Sequence, residues 1–227
     1  MTHLLDRPVW NALTTRHAHL AVGTDDAKRY DTKVSIFAAP KAETPDGFAA
    51  LADVLPEREA AIVLADSPVD LPSDERPWAQ REMVQLICED LPETPNGSEI
   101  VRLGEVDALE MRALALLTKP GPFETRTHEM GAYWGVRIDG RLAAMAGERM
   151  QQPGFTEVSA VCTHPDFQGR GLGRVLSAWD ANQIAARGET PYLHAWADNT
   201  VALRLYKSLG FVHRRSFIVH FRAAADD

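Results

Sequence analysis

The sequence predicts an α/β protein built on a mixed sheet, and three observations carry that reading. Apolar runs of strand length recur along the whole chain. Two segments near the C-terminal end repeat apolar residues at helical spacing, each followed by a glycine. An Asp139-Gly140 pair between two apolar runs marks a hairpin.

The elements follow in order. Pro8 to Leu20 reads as a short helix. Pro45 to Leu55 reads as another, with Thr44 as its cap and Pro45 at the first helical position. Ala60 to Ala65 suits a buried strand. Asp66 to Pro77, rich in Pro, Asp and Ser, reads as loop, and Glu82 to Leu91 suits either a strand or a helix. The segment Pro92-Glu93-Thr94-Pro95-Asn96-Gly97-Ser98 is the clearest boundary. It divides an N-terminal α/β region, residues 1–97, from a C-terminal domain, residues 98–227.

Beyond it the pattern sharpens. Glu99 to Leu103 reads as a strand, and Val106 to Leu117 as a helix with Leu109, Ala113, Leu116 and Leu117 on one face, broken by Pro120-Gly121-Pro122. Tyr133 to Ile138 and Arg141 to Gln151 form the hairpin, and Phe155 to Thr163 is a further strand. Residues 170 to 187 form a long helix with Leu172, Val175, Leu176, Trp179 and Ile184 on its apolar stripe and Gly188 just past its end. Tyr192 to Ala197 is a strand, Thr200 to Leu209 a helix ended by Gly210, and Phe211 to Phe221 the closing strands.

Composition excludes several function classes. A net charge of −8 argues against broad nucleic-acid binding, which needs a basic face, so any phosphate ligand must be held by a local device. Cys88 and Cys162 lie far apart in apolar surroundings, as free thiols of a reducing compartment would. The N-terminus lacks a signal-peptide pattern and no apolar stretch is long enough to span a bilayer, so a cytoplasmic protein with no membrane partner is expected. His17 and His19 flank an alanine without matched ligands, and no metal is expected.

The most informative motif is Gln168-Gly169-Arg170-Gly171-Leu172-Gly173, which opens the long helix. Glycines let backbone amides approach a ligand, and a helix N-terminus supplies unpaired N–H groups and the positive end of the macrodipole. Together they suit a pyrophosphate. A nucleotide P-loop needs Lys-Ser or Lys-Thr after its glycines, and Arg174-Val175 stands there instead. A dinucleotide site, with Asp198 as the ribose-binding acid, would make the chain a nicotinamide-dependent oxidoreductase. However, the spacing is G-x-G-x-G and His164 to Gln168 intervene after the strand. A plain glycine-rich helix entry without a ligand is the third alternative.

A fourth reading is coenzyme A, and here the residues resemble the GCN5-related N-acetyltransferase (GNAT) superfamily. Its Q/R-x-x-G-x-G/A signature is matched by Gln168, Gly171 and Gly173. Its second signature, an Asn before a helix bearing A-x-x-L-Y-x-x-x-G-F, is met by Asn199, Ala202, Leu205, Tyr206, Gly210 and Phe211. The resemblance covers about residues 98 to 221. The stretch Glu157 to Pro165 is similar to the glycine N-acyltransferase-like branch, whose first half is a degenerate partner of the catalytic half and whose acyl group can exceed acetyl.

The resemblance implies a mixed, mostly antiparallel sheet with splayed parallel strands, flanked by helices. It also implies acetyl-CoA as cosubstrate and acyl transfer to the primary amine of a small molecule or amino-acid-like acceptor; a homodimer is left open. Backbone amides from Gly169 through Leu172 to Arg174 would cradle the pyrophosphate, with Arg170 and Arg174 adding charge. Val161 and Thr163 would offer main-chain groups to the pantetheine arm. Asn199 reads both as a helix cap and as a coenzyme contact.

Attack of an amine on a thioester requires a neutral amine and leaves a thiolate. Deprotonating a Lys-like amine at pH 7 costs roughly 4–5 kcal/mol, an α-amine only about 1–1.5 kcal/mol. By the resemblance Tyr206 is the general acid for the leaving sulfur, and Glu157 or a water chain is the base. Arg126, His128 and Glu129 sit where the family builds its acceptor pocket, though a solvated loop accounts for them equally. His194 alternates with Trp196 on a central strand and reads as core. A coenzyme-binding sensor without chemistry is the non-catalytic alternative.

Overall fold

The computed structural model describes residues 3–56, 58–71, 77–97 and 99–225. Ser98 of the boundary and residues 72–76 of the predicted loop lie outside the described residues. The helices are α1 (Pro8–Leu13), α2 (Pro45–Val54), α3 (Ala108–Thr118), α4 (Leu172–Ala186) and α5 (Thr200–Lys207). The strands of the first part are β1 (Ala21–Gly23), β2 (Ala27–Tyr30), β3 (Phe37–Pro40), β4 (Ala61–Ala65) and β5 (Ala79–Cys88). After the boundary come β6 (Ile100–Leu103), β7 (Tyr133–Ile138), β8 (Arg141–Gln152), β9 (Phe155–Thr163), β10 (Thr190–Trp196) and β11 (Phe211–Arg222).

All of these strands join one sheet in the order β1-β2-β3-β4-β11-β5-β10-β9-β8-β7-β6. Pairing is parallel for β3 with β4 and for β9 with β10, and antiparallel elsewhere. The expected mixed, mostly antiparallel sheet is therefore present. Residues 79–88 lie between two strands from beyond the boundary, paired with β11 on one side and β10 on the other.

Two layers of side chains cover the central strands because successive residues point to opposite faces. From β10, Tyr192 and Trp196 pack with Phe37, Met83, Phe217 and the α1 residues Val9 and Leu13. Leu193 and Ala195 pack on the other face with Ala178 and Ala181 of α4 and with Leu209. Each large side chain buried in these layers contributes roughly 1.5–3 kcal/mol.

Local signals account for the ends of several elements. Thr44 Oγ1 accepts a hydrogen bond from Gly47 N (3.2 Å), as an N-cap should. Asp139 (φ 51°) and Gly140 (φ 78°) both take left-handed conformations at the β7–β8 turn.

Two expectations are corrected and one open alternative is settled. The first helix stops at Leu13: Thr14 Oγ1 and Thr15 Oγ1 donate to the carbonyls of Trp10 and Asn11, and only a 3₁₀ turn, Ala18–Leu20, follows. The segment from Glu82 to Leu91, open to either strand or helix, is strand as far as Cys88, within β5. Helix α3 buries Met111, Leu114 and Ala115, whereas Leu109 is 84% exposed and Ala113, Leu116 and Leu117 also face solvent. Apolar residues surround this helix, so periodicity alone did not choose its buried face.

Candidate active site

The site begins where two parallel strands part. β9 and β10 pair only from Thr190 opposite Phe155 to Tyr192 opposite Glu157, after which the rest of β10 keeps to β5. Ala160 takes φ 51°, a left-handed conformation unusual for a residue with a β-carbon, and the β8–β9 register shifts across it, between Ser159 and Cys162. A cavity of about 320 Å³ opens at this splay. Its walls include Val158, Ala195 and Tyr206 from the α4–α5 face and Phe37, Met83 and Trp196 from the opposite face. The cavity therefore runs through the sheet.

On the α4–α5 side it gathers Val161, Thr163, Gln168, Asn199 and Tyr206. Gly169 (φ 77°) and Gly171 (φ 75°) bend the chain into α4 through conformations that favour glycine, and a β-carbon at either would meet no atom within 4 Å. The turn thus presents open backbone at the start of a 15-residue helix, which fits an anionic group. A β-carbon on Gly173 would lie 3.7 Å from Val161 Cγ1 and 3.8 Å from Thr163 Oγ1, so the helix entry abuts the cavity wall. Leu172 is the first residue of α4. Arg170 is exposed with its guanidinium 5.3 Å from the centre of the Phe167 ring, while Arg174 Nη1 donates to Ser208 Oγ (2.5 Å). Asn199 Oδ1 accepts from Ala202 N (3.1 Å) and caps α5. Burial pushes the Tyr206 phenol up to about 12, so it stays neutral and protonated.

The opposite wall carries a buried polar cluster. Arg149 Nε and Nη2 donate to Glu157 Oε2 (2.9 Å) and Oε1 (2.5 Å), and His194 Nδ1 lies 2.7 Å from Glu157 Oε1. His194 Nε2 faces Gln85 Nε2 (3.1 Å), whose amide also donates to Leu5 O (3.0 Å). That contact assigns the tautomer: Gln85 donates to Nε2, and Nδ1–H donates to Glu157. Burial would raise the Glu157 pKa, but the charge of Arg149 and the hydrogen bonds from Arg149 and His194 overcome it and hold the carboxyl at about 2. Arg149 and His194 line the cavity. Glu157 is fully buried behind them and is not part of its wall.

The cavity does not include Arg126, His128 or Glu129. Arg126 forks onto Glu129 (2.7 Å to each oxygen) and reaches Asp31 Oδ2 (3.0 Å), tying its 3₁₀ turn to the N-terminal part of the chain. The neighbouring segment Thr118–Pro122 does line the cavity. Sequence reasoning missed Arg149 and the contribution of Phe37, Ile62 and Met83. A signal for Arg149 existed, since Glu148-Arg149 interrupts the apolar run from Leu142 to Met150. His194, read as core, is core and cavity wall at once. Among the described residues no cluster of His, Cys, Asp and Glu could hold a metal ion, and no helix is long and apolar enough to cross a membrane.

A glycine turn into a helix, a splayed parallel pair and a through-sheet cavity frame the site, and comparison with known proteins gives the family. Residues 133–218 match the family model described as FR47-like protein. A crystal structure of a putative acetyltransferase from the GNAT family from Novosphingobium aromaticivorans is 41% identical, covering 99% of this chain and 100% of that one, with a TM-score of 0.90. The chain belongs to the GNAT family. A mycothiol acetyltransferase of Tsukamurella paurometabola is 35% identical over 85 residues, 36% of this chain and 29% of that protein. The N-alpha-acetyltransferase RimI of Mycobacterium tuberculosis is 42% identical over 84 residues, 35% of this chain and 51% of that protein. The chain thus spans only part of the length of the curated relatives it matches.

Proposed function

We propose that this chain is an acetyl-CoA-dependent N-acetyltransferase that moves the acetyl group directly from the thioester to a primary amine. The observation that carries the reading is the cavity at the β9–β10 splay, with the glycine turn and Tyr206 on one face and Arg149 and His194 on the other. Backbone amides from Gly169 to Arg174 would hold the pyrophosphate, Arg170 adding positive charge. Main-chain groups of Val161 and Thr163, beyond the end of the β9–β10 pairing, are available to the pantetheine amides.

In the reaction the amine nitrogen attacks the thioester carbonyl, the C–N bond forms, and the C–S bond breaks. Tyr206, neutral and with no hydrogen-bond partner for its hydroxyl among the described residues, is suited to donate a proton to the departing sulfur. The amine's proton must also leave. Glu157 and His194 already have their sites engaged by one another and by Arg149 and Gln85, which favours water as the carrier over a direct transfer to Glu157.

Thermal unfolding with acetyl-CoA, free CoA and NADH in parallel tests the assignment. A ligand at about 100 times its Kd adds roughly 2.7 kcal/mol, a rise of several degrees. Stabilisation by acetyl-CoA that Gly171→Asp abolishes is the expected result. Stabilisation by NADH alone would replace the transferase with an oxidoreductase. Acetyl-CoA binding with no transfer to any amine would leave a sensor.

A further inference from the structure

The part of the cavity that faces away from α4 and α5 has a chemistry of its own. Its apolar wall is Phe37, Ile62, Met83, Trp196 and Val219, three of them from the N-terminal part of the chain. Two of these rings are held by cations: Arg149 lies 4.8 Å from the Phe37 ring centre and Arg81 lies 4.3 Å from that of Trp196. The charged side chains lining the cavity are Arg149 and Lys119, and no carboxylate lines it among the described residues. An acceptor bearing several ammonium groups would find no counter-ion there.

Arg149 supplies the decisive geometry. Its Nε and Nη2 are spent on Glu157, which fixes the plane of the guanidinium. Its Nη1 has no protein acceptor among the described residues and points toward Gly121, where a β-carbon would come within 3.7 Å of it. Gly121 is itself part of the cavity wall, as is Lys119, which is exposed just past the end of α3. Two unspent N–H groups at the edge of an apolar chamber, with Lys119 the other cation on the same cavity wall, match an anionic oxygen on a small ligand.

We propose that the acceptor is an amine that also carries a carboxylate and an apolar body, the chemistry of an apolar α-amino acid, with the carboxylate on Arg149 Nη1 and the side chain against Phe37, Met83 and Trp196. The proposal rests on the acetyltransferase reading and names the substrate class of the same site. It gives the N-terminal part of the chain a role in specificity, since Phe37 both walls the chamber and steadies Arg149.

The test measures steady-state acetylation by the full chain, with acetyl-CoA, of L-leucine and L-phenylalanine, their primary amides, the corresponding decarboxylated amines, and spermidine. A charge-assisted contact of this kind predicts a kcat/KM roughly 10–100-fold higher for the free amino acids than for the amides or decarboxylated amines. Spermidine is expected to be the poorest acceptor. Lys119→Met, at an exposed position, should raise KM for the amino acids several-fold and leave KM for the amides unchanged. Phe37→Ala should weaken the preference for an apolar side chain over glycine. Equal or better turnover of an amide, a decarboxylated amine or spermidine, with stabilisation by acetyl-CoA intact, would overturn the acceptor class alone. Absence of stabilisation by acetyl-CoA would overturn the transferase reading and this proposal with it.

Discussion

Tyr206 lines the opening and Glu157 lies buried behind its opposite wall, and their surroundings suit them to different tasks. The Tyr206 phenol is half-buried on α5, neutral, and open to the cavity. Tyr206→Phe should lower kcat by about 10²-fold while calorimetric affinity for CoA stays within error. Unchanged turnover would remove the hydroxyl from the mechanism. Glu157 is instead the counter-ion of a buried guanidinium. Glu157→Gln leaves Arg149 without its partner, and a loss of stability of about 3 kcal/mol is expected. Because its folded pKa of about 2 lies below the ordinary carboxylate value, Glu157 stabilises the fold above the ordinary value, and that contribution disappears as pH falls towards 2. Acid unfolding of wild type and Glu157→Gln should therefore converge at low pH. At this scale the sequence was most legible where a residue type served backbone geometry: Gly169, Gly171 and the cap Asn199 announce themselves. Arg149 showed only as a break in an apolar run, and its role became readable once its partner, eight residues along the chain and on the next strand, was known.

Helices α3 and α4 show how far periodicity reaches. On α4 the predicted stripe is half right: Leu176 and Ile184 are buried, Leu172, Val175 and Trp179 are partly covered, and Asp180 is buried in full. No hydrophobic pattern would place a carboxyl there. Neither of its oxygens has a hydrogen-bond partner among the described residues, and burial, then the charge of Glu148, push its pKa well above the carboxylate range. An acid with a raised folded pKa favours the fold at low pH and loses that advantage as pH rises through the raised value. Asp180→Asn should therefore raise Tm by roughly 2–4 °C at pH 8, and by less at pH 5. Equal shifts at both pH values would show that Asp180 does not titrate between them. The strands β1 to β3 escaped sequence reading because they are three or four residues long, too short for alternation to register. The Asp-Gly turn and the long strands β8 and β9 were plain because turn chemistry and length agree there.

Across the whole molecule, the boundary at residues 92–98 and the continuity of the sheet pull in different directions. The composition shift is real, yet β5 precedes it and sits between β10 and β11. A chain of residues 98–227 would leave those two strands with unpaired facing edges. It is expected to show no cooperative melt, whereas residues 79–227 should recover one. A cooperative transition from residues 98–227 alone would show that the C-terminal part folds by itself.

The opening between β9 and β10 also bears on the order of events in turnover. With the glycine turn on one face and the Arg149 chamber on the other, the proposed function would bring each reactant in from its own side of the sheet, and neither would need to depart before the other arrives. Two reactants that meet across a wall react while both are present, so double-reciprocal plots at several fixed acceptor concentrations should intersect. A product resembling one reactant should compete with that reactant and leave access to the far side untouched.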